Sequence, residues 1–297
     1  MKHNKDLQHN GIPSSGGFAN TRLGDAAVIS WWSGGITSAV ACRLALEKYK
    51  NVRLIYIETG SHHPDTKRFK IDCEQWYGRE IETRQSNKYE NHIDVVLTER
   101  FVNGPTGAKC TKVLKKDVRE KVEREFEWSN QVYGLEFEET QINRAIRWQE
   151  QYEYTNALFP LIENSLSKNE SAGIVLGAGI KLPEMYKLGY SNNNCIGCVK
   201  GGKGYWNKIR IDFPETFKQM AEAEREINAT CIKETIGKKT KRIFLDELEP
   251  TAGNEADLVI GECGIFCQVD FAHLMSPKVI DIMEGRLSIY EAGSRIA

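Results

Sequence analysis

The chain has 297 residues, 40% of them hydrophobic and 27% charged, with a formal net charge of −1. That is enough apolar material for a buried core, and the near-neutral balance excludes a global field that would draw in nucleic acid or membrane. No run of about 18 apolar residues appears, which excludes a helical membrane span, and the polar start Met1-Lys2-His3-Asn4-Lys5-Asp6 has no signal-like apolar stretch, so a cytoplasmic protein is expected.

Residues 1–24, rich in Gly, Ser and Asn, read as a flexible N-terminal arm. Ala26 to Trp32 is a short apolar run that meets a glycine pair, and Thr37 to Tyr49 carries helical periodicity, which together read as strand, tight loop and helix. Val52 to Ile57 is a second strand of parallel-core length, and Pro64 to Tyr77 a helix with Pro near its first turn. Ile81 to Thr83 reads as a third strand, and Asp94 to Thr98 as a short strand or part of a helix. Lys112 to Phe126 is a highly charged amphipathic helix, Gln131 to Gly134 another short strand, and a helix follows through Ile142 and Gln149. Alternating strands and helices imply a doubly wound α/β fold with a mostly parallel sheet covered on both faces.

Beyond residue 165 the pattern changes. Ser167-Lys168-Asn169-Glu170 has capping-box spacing and opens a helix that ends near Gly179. A cysteine-bearing, Gly-rich stretch follows, then Phe213-Pro214 opens a helix through Ile227, and residues 276–297 read as a short helical tail. The expected organisation is the arm 1–24, a nucleotide-binding α/β domain over 25–165, and a helical, cysteine-bearing region over 166–297 packed on it.

The loop Ser33-Gly34-Gly35-Ile36-Thr37-Ser38 carries the strongest chemical signal. Glycines directly after a buried strand let the backbone turn sharply and approach a phosphate. The helix that follows presents unpaired N–H groups and the positive end of its dipole, and Ser33, Thr37 and Ser38 add hydroxyls. The loop also lies at the carboxyl edge of the sheet, where open α/β folds bind ligands. It lacks Walker A spacing.

The eight cysteines of a reduced compartment are candidates for metal or catalytic work. Cys195-x-x-Cys198 and Cys263-x-x-x-Cys267 together supply four thiolates, a set suited to a [4Fe–4S] cluster or a structural Zn²⁺. Cys195 and Cys198 alone would also serve as a dithiol redox pair. Cys42 lies on an apolar helix and reads as core, and Cys73 and Cys231 as structural. His62 and His63, after the second strand, either reach substrate or form an exposed loop pair, and Asp65 is placed to hold Mg²⁺ beside phosphates. Lys200, Lys203, Lys208 and Arg210 interleave with Tyr205 and Trp206, a pattern that can hold single-stranded nucleic acid or simply the nucleotide's own phosphates.

Several of these segments carry a family resemblance. The loop at 33–38 looks like the PP-loop of ATP pyrophosphatases, S-G-G-x-[DT]-S. Glu58-Thr59-Gly60 with Pro64-Asp65-Thr66, Cys110-Thr111-Lys112-Val113-Leu114-Lys115, Pro183-Glu184-Met185-Tyr186, Cys195 to Cys198 and Glu262-Cys263-Gly264-Ile265-Phe266 follow in an order that resembles the phosphoadenosine-phosphosulfate (PAPS) reductase family, with its phage-type and DNA- or RNA-thiolating relatives. The resemblance implies an adenine nucleotide α-hydrolase-like fold, an ATP or sulfated adenine nucleotide with Mg²⁺ as ligands, and a sulfur donor or thioredoxin-like reductant as partner. It implies phosphate contacts from Ser33, Gly34, Gly35, Thr37 and Ser38, with Thr59 and Gly60 near the adenosine. Lys112 and Lys115 would face the phosphate or sulfate end, where a cationic point charge is suited. Cys263 is the candidate nucleophile of a sulfonucleotide reductase. By the same resemblance Cys110, Cys195 and Cys198 form an alternative three-thiolate cluster with one open iron. The loop sequence itself leans towards ATP, and Phe266 stands where the reductases carry His. Three readings follow: pyrophosphatase-type activation linked to sulfur transfer, reduction of PAPS or its adenosine phosphosulfate analogue, and a nucleotide-binding module without turnover.

Overall fold

The computed structural model describes residues 26–104, 107–236, 239–254 and 276–293. The arm, Cys263, Phe266 and Cys267 lie outside the described residues.

Strand β1 (Ala27–Trp31) leads into helix α1 (Ile36–Lys48), then β2 (Val52–Glu58), α2 (Asp65–Tyr77), β3 (Glu82–Gln85) and α3 (His92–Glu99). A two-residue ladder pairs β4 (Asn103–Gly104) with β5 (Gly107–Ala108). Helix α4 (Lys109–Thr111) runs through a π-helical turn (Lys112–Lys116) into α5 (Asp117–Glu125). Then come β6 (Trp128–Val132), α6 (Glu139–Gln151), β7 (Ala157–Leu158), α7 (Pro160–Glu163) and α8 (Lys168–Gly177). The remaining described elements are α9 (Glu184–Lys187), α10 (Lys203–Asp212), α11 (Pro214–Ile227), the antiparallel pair β8 (Ile232–Ile236) and β9 (Lys239–Ile243), α12 (Lys278–Met283) and α13 (Ile289–Gly293).

The central sheet has five strands in the order β3-β2-β1-β6-β7, all parallel. Its middle strand, Ala-Val-Ile-Ser-Trp, is buried along its whole length, as expected of a strand covered on both faces. Side-chain alternation sorts the strands between two cores. Val28, Leu54 and Tyr56 join Ala39, Val40, Phe69 and Val175 under α1, α2 and α8. Ile29, Trp31, Ile55 and Ile57 join Val122, Ile142, Ile146 and Trp148 under α5 and α6. Ile29 and Ile55 are fully buried, each worth about 2 kcal/mol relative to an exposed position. The expected doubly wound α/β architecture is therefore the observed one. Two elements beyond residue 165 also serve these cores: α8 packs on α1, and α12 and α13 pack on α6.

Local chemistry sets the helix ends. Gly78 closes α2 in the left-handed region at φ 62°. Asn91 caps α3 through its side chain, and Pro214 opens α11 where a missing N–H costs nothing. At α8 the Ser167 hydroxyl accepts from the Glu170 N–H while the Glu170 carboxylate accepts from the Ser167 N–H, the reciprocal pair that the spacing predicts.

A third core lies beyond the carboxyl end of the sheet. Tyr205, Trp206 and Ile209 of α10 and Met220, Ala223 and Ile227 of α11 pack with Val96 of α3, Cys198 and Ile232. The Tyr205 and Trp206 rings are 2% and 0% exposed, so the aromatic members of the anticipated nucleic-acid cluster are core residues and cannot stack on bases. Their basic neighbours are committed as well: Lys203 pairs with Glu234, Lys208 with Asp212, and Arg210 donates to the carbonyls of Leu245 and Leu248. Among the described residues no helix is long and apolar enough to cross a membrane.

Candidate functional site

The connections β1-α1-β2-α2-β3 build one half of the sheet, and β6 lies on the other side of β1. The strand order therefore reverses between β1 and β6, and the loops after these two strands meet at that switch point, where open α/β sheets bind ligands. The loop after β1 is residues 33–35, and α1 starts at Ile36.

Gly34 adopts φ +87°, a conformation that a residue with a Cβ reaches only under strain. Gly35 is the N-cap of α1, and among the described residues no side chain caps the helix, so its first amides have no intrahelical partners and are open to an anion. The Ile36 N–H meets the Tyr186 hydroxyl at 3.4 Å. Ser38 ties the loop together. Its hydroxyl donates to the Gly35 carbonyl at 2.8 Å and accepts from the Ser33 N–H at 3.0 Å, so it braces the loop from inside. Ser33 is exposed, whereas Thr37 and Ser38 are buried.

Two residues that the sequence reading did not single out hold the loop. Gly134 follows β6, and a Cβ placed on it would lie 2.6 Å from both Cα and N of Ser38. Only glycine lets the β6 loop press onto the start of α1 this closely. Asn193 donates through Nδ2 to the Gly34 carbonyl at 2.8 Å and to the Thr66 hydroxyl at 3.1 Å. It is 5% exposed, and its Oδ1 has no hydrogen-bond partner among the described residues. A single Gly after a buried strand is a usable sequence signal for Gly134; Asn193 has none, because its partner lies 159 positions away.

The end of β2 is a buried polar chain. The Glu58 carboxylate accepts from the N–H groups of Thr59 (2.8 Å) and Gly60 (2.9 Å) and from the Tyr56 hydroxyl (3.0 Å). His62 Nδ1 lies 2.7 Å from the same hydroxyl. Tyr56 has one proton to give, so a protonated His62 donating through Nδ1 satisfies both contacts. Burial alone would lower the His62 pKa, but the Cys195 sulfur and the Glu58 carboxylate outweigh it and raise it to about 9. Burial likewise works against the Glu58 carboxylate, yet His62 and the hydrogen bonds it accepts bring it down to about 2. His62 is thus a buried partner in this network, while His63 accepts from the Asp65 N–H and packs edge-on against Phe213. Gly60 serves close packing: a Cβ there would run into the Glu90 carbonyl oxygen at 1.8 Å. Asp65, the Mg²⁺ candidate, has both oxygens on the Arg68 guanidinium and also accepts from the Glu184 N–H. It locks the start of α2 to the first residue of α9.

Thr59 connects this chain to the thiols. Its hydroxyl lies 3.2 Å from Cys195 Sγ, and both residues line a cavity of about 20 Å³ together with His92, Cys110, Lys115 and Cys198, room for about one water. The structure thus brings Cys110, Cys195 and Cys198 to one cavity. Among the described residues, however, no three His, Cys, Asp or Glu side chains converge closely enough to hold a metal ion. Lys115 borders the cavity from the π-helical turn, whereas Lys112 is exposed on the same turn. A π turn inside an α-helix re-aims its side chains and is frequent at functional sites. Cys42 and Cys73 are buried in the core under α1 and α2, and Cys231 is buried in the third core, within electrostatic reach of Cys110. Burial pushes the Cys42 and Cys73 thiols up to about 12, and that of Cys231 well above the usual thiol range.

Residues 27–203 match the family model described as "Phosphoadenosine phosphosulfate reductase domain". No curated protein matches the chain significantly. Among solved structures, the phosphoadenylyl-sulfate (PAPS) reductase from Candida auris, in a phosphate complex, is similar at 15% identity and a TM-score of 0.42, over 57% of this chain and 80% of that one. The family model covers more than half of the chain, including the phosphate loop, the end of β2, the π turn and the Cys195–Cys198 loop: the chain belongs to the phosphoadenosine phosphosulfate reductase domain family.

Proposed function

We propose that the chain is a sulfur-transfer enzyme that binds an adenine nucleotide by its phosphates at residues 33–38, activates a substrate by ATP-pyrophosphatase chemistry and delivers sulfur to it beside Cys110, Cys195 and Cys198. One observation carries the reading. Asn193 grips the phosphate loop and Cys195 lines the thiol cavity, and two residues of chain span at most about 7 Å. Phosphate grip and thiol chemistry are therefore neighbours on one short loop.

In this reading the open amides at the start of α1 and the Ser33 hydroxyl hold the phosphates, and the Tyr186 hydroxyl donates to the phosphate oxygen that docks at the Ile36 N–H. A substrate oxygen attacks the α-phosphorus and pyrophosphate leaves. The fixed amides stabilise the charge that develops on the leaving group. Lys115 faces the thiol side as a compact cation, and a sulfur nucleophile displaces AMP from the activated carbon, forming C–S as C–O breaks. Thr59 and Gly60 border the nucleoside end.

Two product assays test the proposal: pyrophosphate released from ATP with sulfide as donor and carbonyl-bearing acceptors (amides and pyrimidine nucleosides) supplying the attacking oxygen, and sulfite released from PAPS with thioredoxin as reductant. The expected result is pyrophosphate, reduced at least tenfold by Gly34→Ala and by Lys115→Ala. Sulfite without pyrophosphate would instead identify a sulfonucleotide reductase working through Cys263. Nucleotide binding without either product would identify a binding module.

A further inference from the structure

We propose that the β8–β9 hairpin, with Phe101 at its root, is a binding surface for single-stranded nucleic acid. The two described strands, Ile232–Ile236 and Lys239–Ile243, hold four basic residues and one glutamate, a local charge of +3 in a chain whose total is −1. Most of the charge lies on β9, where Lys239, Thr240, Lys241 and Arg242 are all exposed. Lys239 and Lys241 sit two residues apart on one face of an extended strand, hence about 7 Å apart, which suits a repeating row of phosphates. Lysines on a free edge also discourage strand-to-strand aggregation, so charge by itself is not decisive.

Two further observations favour a nucleic acid over an acidic protein. The exposed residues of β9 include no large apolar side chain, and protein interfaces rely on such anchors whereas phosphate contacts do not. At the root of the hairpin stands Phe101, an aromatic ring 40% exposed and packed over Gly104, available to stack on an unpaired base. The root is also tied to the thiol cavity. Lys233 donates to the Asn103 carbonyl at 3.0 Å, and Asn103 donates through Nδ2 to the carbonyl of Val199, a residue of the cavity wall. The root of the hairpin is therefore anchored to the wall of the thiol cavity. The inference stands independently of nucleotide binding at residues 33–38.

Fluorescence anisotropy of the full chain tests it, with labelled single strands of about 20 nucleotides as RNA and as DNA, and labelled polyglutamate as the acidic-protein mimic. The expected result is binding of at least one oligonucleotide that weakens with salt between about 50 and 200 mM. Lys239→Gln/Lys241→Gln should flatten the log–log salt slope by about 1.4, and Phe101→Ala should weaken binding with little change in slope. Absence of oligonucleotide binding, an unaltered slope in the double variant, or equal binding of polyglutamate would each overturn the proposal. An unchanged urea unfolding midpoint of the double variant serves as the control for folding.

Discussion

Gly134→Ala perturbs the candidate site from a position outside residues 33–38. The added methyl would sit 2.6 Å from two backbone atoms of Ser38 and 2.9 Å from the Thr37 carbonyl carbon. Ordinary contact needs about 3.4 Å, so the β6 loop and the start of α1 must separate by about 0.8 Å, and backbone on both sides leaves no flexible side chain to yield. Overpacking of this kind costs about 1–3 kcal/mol. Because the displaced atoms are the first turn of α1, the open amides move with them, and ATP affinity should fall about tenfold or more, roughly 1.4 kcal/mol. Urea unfolding and calorimetric titration with ATP read the two effects. Gly173→Ala is the matched control: it lies inside α8 with open space around it, so it should stabilise by up to about 1 kcal/mol and leave ATP affinity alone. If Gly134→Ala unfolds and binds like the natural chain, the packing argument for the loop is wrong.

Asn193→Ala removes both bonds that Nδ2 makes and leaves the buried Gly34 carbonyl without its partner, so it should cost about 1–3 kcal/mol in urea unfolding and weaken ATP; an unaltered midpoint and affinity would show that the clamp is idle. Glu58 is held at about 2, below its ordinary 4.5, so the stability it contributes is present above pH 4.5 and is lost as pH falls towards 2. The natural chain should exceed Glu58→Gln by on the order of 3 kcal/mol near neutral pH, with the gap closing below pH 4.5 in denaturant titrations; a gap that does not depend on pH would contradict the network. Cys42, Cys73 and Cys231 should resist iodoacetamide at about pH 8, since burial suppresses their thiolates, and peptide mapping that finds them labelled in the folded protein would contradict their placement.

What the sequence discloses is what depends on neighbours along the chain. The run Ala26–Trp32, the glycine pair and the helix after it are read directly, because burial, turn and helix start are adjacent. Pro214 and the Ser167–Glu170 box mark the starts of α11 and α8 for the same reason. Strand β6 is harder. The apolar signal lies at Val132 and Tyr133, while the strand begins at Trp128 through the polar Ser129 and Asn130, so the expected element at Gln131–Gly134 is shifted towards its buried end. Tyr205 and Trp206 mislead because basic and aromatic residues interleaved in the chain are separated by the helical period, rings inward and charges outward. Asn193 on Gly34, Gly134 on Ser38 and the meeting of Cys110 with Cys195 and Cys198 are products of topology, invisible in any local window.

The central claim is that the turn at residues 33–38 grips the phosphates of an adenine nucleotide. Calorimetric titration of the same protein with ATP and with adenosine isolates that grip, since the two ligands differ only in the phosphates. ATP should bind at least a hundredfold more tightly, and Gly34→Ala should erase most of the difference. Equal affinities, or no affinity for either ligand, would contradict the account.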